Sequence, residues 1–314
     1  MAAVAPPPPM PPSIPPVASV QEPGGTLAAD LRGVKVVWRR ELIRFARDRL
    51  RIITSLGQPV LFLLILGEGL SVIAKTPPGV SFETFMFPGI VGMTVLFTSV
   101  FSAMSIVWDR ELGFLREMLV APVPRWSIVL GKCLGGMTVA TVQGVIFLAL
   151  AGAAHVPYDP LMLVELVGIM ALMAFALTAF GVLLAARIEQ MQSFSVVVQF
   201  FVMPMFFLSG AVFPLAGLPS WLNALTKIDP LTYAVDPLRH MVFEHLSVPA
   251  SALATLDPGV SWNGWRLSVG AELGIVAVFA AVLLGAAMVA FSREEVAFCR
   301  EQIVTSGPSP GGGG

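Results

Sequence analysis

The chain has 314 residues, 56% of them apolar and 12% charged, and its formal net charge is −1. Soluble domains carry about 25% charged residues, so water is excluded as the only solvent, and a near-neutral chain gives no electrostatic grip on nucleic acid. Cys133 and Cys299 stand far apart with no metal-ligand spacing around either, which leaves them as free thiols and excludes a disulfide framework or a zinc site.

Residues 1–27 are the first predicted element, a cytoplasmic tail. Nine prolines fall in the first 25 residues, mostly as PPPPMPPSIPP, with no positive start, apolar core or small-residue cleavage site of a signal peptide. Such a stretch favours polyproline conformations and buries no core, so disorder is expected. Residues 28–51 follow as an amphipathic helix. Leu31, Val34, Trp38, Leu42 and Phe45 fall within an arc of about 80°, and Arg32, Lys35, Arg39, Arg40, Arg44 and Arg47 occupy the rest of the wheel. This is the pattern of a helix in the membrane interface, its apolar stripe among acyl chains and its basic face toward anionic head groups.

Residues 52–292 form the membrane domain. A helix crosses the roughly 30 Å hydrocarbon layer with about 20 apolar residues. Six stretches qualify: Ile52–Ile73, Phe85–Val107, Cys133–Ala153, Leu161–Ala186, Phe194–Phe213 and Leu267–Phe291. Fifteen of the 19 Lys and Arg residues fall on one side of this arrangement, and Lys75, Lys227, Arg239 and Arg266 fall on the other. The bias places both termini in the cytoplasm. Glu68 lies about 24 Å along the first span, near the outer head groups; with Phe206, Phe207, Phe213 and Trp221 it is a candidate for the transport path or its outer gate. Gly131 and Gly135 give a G-x-x-x-G that permits close helix packing at the start of the third span.

Between spans two and three, DRELGFLREMLVAPVPRWSIVLGK carries the densest charge of any connection. Leu112, Leu115, Met118 and Leu119 share one side of a short helical pattern, flanked by Glu111 and Glu117, and Pro122 ends it. A solvated loop has no use for that apolar side, so the segment reads as a stiff cytoplasmic knob for docking another protein. Residues 214–266 form the longest connection on the opposite side. Trp221, Tyr233, Trp262 and Trp265 are interface anchors. PLAGLPSWLNAL is too short to span and broken by prolines, so it is expected to fold back into the outer interface as a re-entrant element. Residues 293–314 are a second cytoplasmic tail.

Three stretches resemble the permease subunits of type-2 ABC exporters, in particular the drug-resistance (daunorubicin-like) and Nod-factor-export branch. The first is the charged insert, through Arg110, Glu111, Gly113, Glu117, Leu119, Pro122, Arg125, Gly131 and Lys132. The second is MPMFFLSGAVFPLAGLPSWLNAL with DPLTYAVDPLRH; the third is ARIEQMQSFSVVVQF. The likeness covers roughly residues 30–292. The proline-rich head lies outside it, and Asp229 stands where that branch commonly has Asn. The resemblance implies an all-α membrane protein with six spans, an amino-terminal interfacial helix, a short coupling helix between spans two and three, and re-entrant helices before span six. It implies that Asp109, Arg110, Glu111, Gly113, Phe114, Leu115, Arg116, Glu117, Leu119, Pro122 and Arg125 meet a separate ATPase subunit, which binds ATP and Mg. A second permease copy and membrane lipids are the other implied partners. The chain itself has no G-x-x-x-x-G-K-[ST].

The expected function is export of hydrophobic or amphipathic cargo driven by that ATPase. An ion-coupled secondary transporter is the alternative, and it needs ionisable groups at mid-membrane that these spans do not offer. An ATP-dependent lipid flippase shares every feature above. His240, Glu244 and His245 lack the shared helical face that a metal site requires, and no intramembrane catalytic cluster is present in the sequence.

Overall fold

The computed structural model describes residues 27–71, 81–113, 124–154, 156–213, 218–246, 259–262 and 265–305, with 70–71, 153 and 292–305 by backbone alone. The helices are α1 (Leu27–Arg47), α2 (Arg49–Ser71), α3 (Phe82–Ser102), α4 (Met104–Glu111), α5 (Arg125–Leu148), α6 (Pro160–Ala185), α7 (Met191–Leu208), α8 (Ser220–Ile228), α9 (Thr232–Glu244) and α10 (Val269–Thr305). Six helical stretches are long and apolar enough to cross a bilayer: α2, α3 with α4, α5, α6, α7 and the Val269–Phe291 part of α10. The chain is a multi-pass membrane protein.

Local chemistry sets the helix starts. Asp48 breaks the chain between α1 and α2, and its Oδ1 accepts the Arg51 N–H at 3.1 Å. Ser81 caps α3 by accepting the Thr84 N–H, and Asp159 caps α6 ahead of Pro160. Span two is longer than the predicted Phe85–Val107 and is two rods, because the backbone leaves regular helix at Ala103, whose N–H turns to the Val100 carbonyl at 3.2 Å. Span three starts at Arg125, not Cys133, since Pro124 fixes the turn that opens it. Lys132, expected in the connection, therefore lies inside a helix. Span five ends at Leu208, short of Phe213, in a turn where Gly210 takes φ 74°.

α3 is enclosed by α2, α5, α6 and α9 and is buried along most of its length. A methyl group at Gly89 would stand 2.3 Å from the Ala211 carbonyl oxygen, so bare backbone is required where α3 meets the turn after α7. α1 packs on α5. Gly131 and Gly135 face it, and a Cβ on either would meet Val37 or Glu41 at 2.8 Å. This modifies the expected stripe: Val34 is buried, Trp38 and Phe45 are half-buried, and Trp38 Nε1 donates to Thr138 Oγ1 at 3.1 Å, while Leu31 stays exposed. Protein, not acyl chains, covers that part of the helix.

At the opposite end α9 is buried among α3, α6 and α10. A two-residue hairpin pairs Ser261–Trp262 with Trp265–Arg266, a departure from the all-α expectation. Its anchors are polar: the Val260 N–H donates to Asp236 Oδ2 and Trp262 Nε1 donates to the Tyr233 hydroxyl, both at 3.1 Å.

Candidate functional site

The charges of the α1 end converge on the base of α4. Lys132 Nζ uses all three donors: Glu41 Oε1 of α1 at 2.6 Å, Ser105 Oγ at 2.9 Å and Asp109 Oδ2 at 3.0 Å. Lys132 is 4% exposed and Asp109 2%. Arg40 closes the set by donating to Asp109 Oδ1 at 2.6 Å, and Arg44 stands 3.6 Å from the same oxygen with its guanidinium over the Trp108 ring. Two carboxylates held inside apolar surroundings by cations from two other helices form a rigid joint, because separating any partner strands a buried charge.

The next two residues extend the joint. Arg110 donates to the carbonyls of Ala185, Ala186 and Ile188 at 3.3, 3.4 and 2.9 Å. These lie at the carboxyl end of α6, where carbonyls lack helical partners and a cation is favoured. Glu111 Oε1 accepts the Met191 N–H at 3.0 Å, an anion at the amino end of α7. Thus Asp109, Arg110 and Glu111 fasten α4 to α1 and α5, to α6, and to α7. The chain then turns at Gly113, whose φ of 78° suits glycine.

The sequence placed Asp109 and Arg110 on a docking surface; Asp109 is buried against Lys132 and Arg40, and Arg110 is half-buried with its guanidinium on the carbonyls that end α6. Arg40 and Arg44, expected toward head groups, reach Asp109 while 41% and 34% of their side chains stay exposed, and Arg39 and Arg47 are exposed. Arg125 opens α5, half-buried. Phe114, Leu115, Arg116, Glu117, Leu119 and Pro122 lie outside the described residues. Glu41 and Ser105 were missed. Glu41 shares a helical face with Val34 and Trp38, and an acid on the packed side of a basic helix is the signal that calls for a buried cation.

The candidate gate residues differ in exposure. Phe206 is buried, its ring 6.2 Å from that of Phe62 and 5.3 Å from that of Phe207. Phe207 and Trp221 are exposed, Phe213 is half-buried, and Glu68 sits on the open side of α2. Among the described residues no group of three His, Cys, Asp or Glu side chains is arranged to hold a metal.

Beyond the spans, Asp229 is buried between α8 and α9. Its Oδ1 accepts the Leu231 N–H at 3.0 Å and its Oδ2 the Thr232 hydroxyl at 3.4 Å, so it caps the turn into α9 despite replacing the expected amide. Burial pushes its carboxyl from 3.8 up to about 8, against the two hydrogen bonds. The folded chain keeps this proton at pH values where the unfolded chain loses it. Stability is therefore full below about pH 4 and falls as pH rises through about 8. Asp229→Asn cannot ionise and keeps an oxygen for Leu231. Its unfolding temperature should stay flat from about pH 5 to 9 while that of the native chain declines; parallel curves would assign the pH dependence elsewhere.

Residues 32–243 match the family described as ABC-2 type transporter. The chain is 28% identical over 253 residues to a protein of Cyanophora paradoxa named transport permease ycf38, covering 78% of this chain and 83% of that one. It is 30% identical over 195 residues to YbhR of Escherichia coli K12, named as a multidrug ABC transporter permease, covering 61% of this chain and 50% of YbhR. Nodulation protein J of Rhizobium leguminosarum bv. viciae is 28% identical over 209 residues, covering 65% of this chain and 79% of its own length. With its six apolar helices and a match across two thirds of its length, the chain belongs to the ABC-2 type transporter permease family.

Proposed function

We propose that this chain is the membrane subunit of an ATP-driven exporter in the cytoplasmic membrane, with both termini cytoplasmic. It works beside a second permease copy and separate ATPase subunits that bind ATP and Mg. The observation that carries this reading is the threefold fastening of α4 by Asp109, Arg110 and Glu111, directly before the 112–124 connection. A push on that connection reaches α1, α5, α6 and α7 through ion pairs and capping bonds. In this reading Glu111, Gly113, Phe114, Leu115, Arg116, Glu117, Leu119, Pro122 and Arg125 present the connection to a cleft in the ATPase subunit. Arg39 and Arg47 lie at the head-group layer with α1. The cargo is hydrophobic or amphipathic: a drug, antibiotic, lipid or glycolipid. The multidrug name of the Escherichia coli relative supports that class.

The test is reconstitution with candidate ATPase subunits, following whether amphipathic compounds raise ATP hydrolysis. Glu117→Lys should insert into the membrane normally and lower ATP-driven transport at least tenfold. Loss of insertion would make the segment structural, and undiminished transport would remove it from coupling.

A further inference from the structure

A crevice of about 520 Å³ opens beside the α4 joint, between α2 and the α3–α4 rods. Its size falls within the range of small-ligand sites. Its two walls differ in chemistry. Arg51, Thr54, Ser55 and Gln58 of α2 line one, at the i, i+3, i+4 and i+7 spacing that puts them on a single helical face. Met93, Phe97, Phe101 and Trp108 line the other, with the Phe97 and Phe101 rings stacked at 6.2 Å. A guanidinium and an amide on a helix apolar enough to cross a bilayer are costly unless they serve a partner.

The polar wall is open to an occupant: Arg51 is half-buried, and Thr54, Gln58 and Trp108 are exposed. One Arg51 guanidinium nitrogen donates to the Phe101 carbonyl at 3.2 Å, which holds the group across the crevice from α2 to α3. Arg51 makes no ion pair among the described residues. Its other donors belong to a planar fork that fits a carboxylate or a phosphate. Asp48 is the one acid among the described residues that line the crevice, and its Oδ1 accepts the backbone N–H of Arg51 at 3.1 Å. It leaves the guanidinium without a directly paired counter-charge, and its own charge disfavours a guest that carries two negative charges.

We propose that the crevice binds an amphiphile with a singly negative head, a carboxylate or phosphodiester whose oxygens pair with the Arg51 guanidinium, its apolar chain lying along Phe97, Phe101 and Met93. Arginine defines the head, and the stacked rings define the chain. A resident lipid and a transported compound share this chemistry. Binding needs no ATPase, and only the assignment as cargo rests on the exporter reading.

Trp108 supplies the readout. The full chain in nonionic detergent micelles is titrated with the methyl phosphodiester of a dibrominated long-chain alcohol, whose bromines quench indole fluorescence on contact. A saturable component is expected in the native chain and absent in Trp108→Phe. Methylating the probe to its neutral phosphotriester should weaken it about tenfold, without any change in the protein. Arg51→Gln should bind diester and triester alike. Arg49→Gln, which removes an exposed cation outside the lining, should keep the preference for the diester. The site is overturned by the absence of a saturable component, by one that survives in Trp108→Phe, or by equal affinity of the native chain for the two probes. A preference that persists in Arg51→Gln, or disappears in Arg49→Gln, overturns it as well. With the ATPase added, loss of the quench on ATP identifies cargo, and a constant quench a resident lipid; both uphold the site, and the second counts against this crevice as part of the export path.

Discussion

Lys132→Met is expected to lower the stability of the chain by about 3–5 kcal/mol, the cost of leaving buried charges uncompensated. Lys132 is the ion-pair partner of Glu41 and one of the cations on Asp109. Methionine keeps the length of the stem and removes the three donors, so Glu41, Ser105 and Asp109 Oδ2 each lose the bond from Lys132, while Asp109 Oδ1 keeps Arg40. For a chain of this size the apparent unfolding temperature should fall by about 10 °C. Cys133 is buried beside Lys132 on α5, so the temperature at which a thiol-reactive dye labels it, in a Cys299→Ser background, reports the opening directly. Adding Glu41→Gln should recover part of the loss by removing one stranded charge. Exposed Arg39→Met, outside the joint, should shift stability by less than about 0.5 kcal/mol. A native-like Lys132→Met would show that the buried charges do not hold α4.

Gly89→Ala should rank with it, at roughly 3 kcal/mol or more, because overpacking is most costly when neither side can yield. The added carbon would meet the carbonyl oxygen, Cα and carbonyl carbon of Ala211 at 2.3, 2.6 and 2.7 Å. All three are backbone, so no rotamer change relieves the clash. The turn after α7 would have to move away from α3, taking with it the Gly210 carbonyl that accepts from Arg239. Gly168→Ala is the control. A Cβ there meets nothing within 4 Å, and helix propensity favours alanine by up to about 1 kcal/mol. Opposite shifts of unfolding temperature are expected; equal shifts would attribute the Gly89 effect to helix propensity and not to the contact.

Six spans were legible because a run of apolar residues long enough to cross hydrocarbon has few other uses. Their ends were less so: Pro124 opens α5 well before the apolar run at Cys133, and Ala103 interrupts span two without a proline or glycine to announce it. The packing of α1 was hidden for a different reason. An amphipathic stripe records that one face avoids water, and it does not distinguish a protein neighbour from lipid. Gly131 and Gly135 held the missing information, since a flat strip on α5 accommodates a close helix. The acids and bases of the joint looked like separate surface charges because Glu41, Asp109 and Lys132 are distant in sequence. Only the fold shows that each answers another. The connection that follows them reads as a docking knob from its apolar pattern alone, and residues 114–123 lie outside the described ones.

The interruption at Ala103 divides the second span into a distal rod, seated on α9 and the turn after α7, and a proximal rod bolted to the joint. Phe97 and Phe101 belong to the first and Met104 and Trp108 to the second, yet all four wall the same crevice. A change of angle between the two rods would therefore alter the width of that crevice.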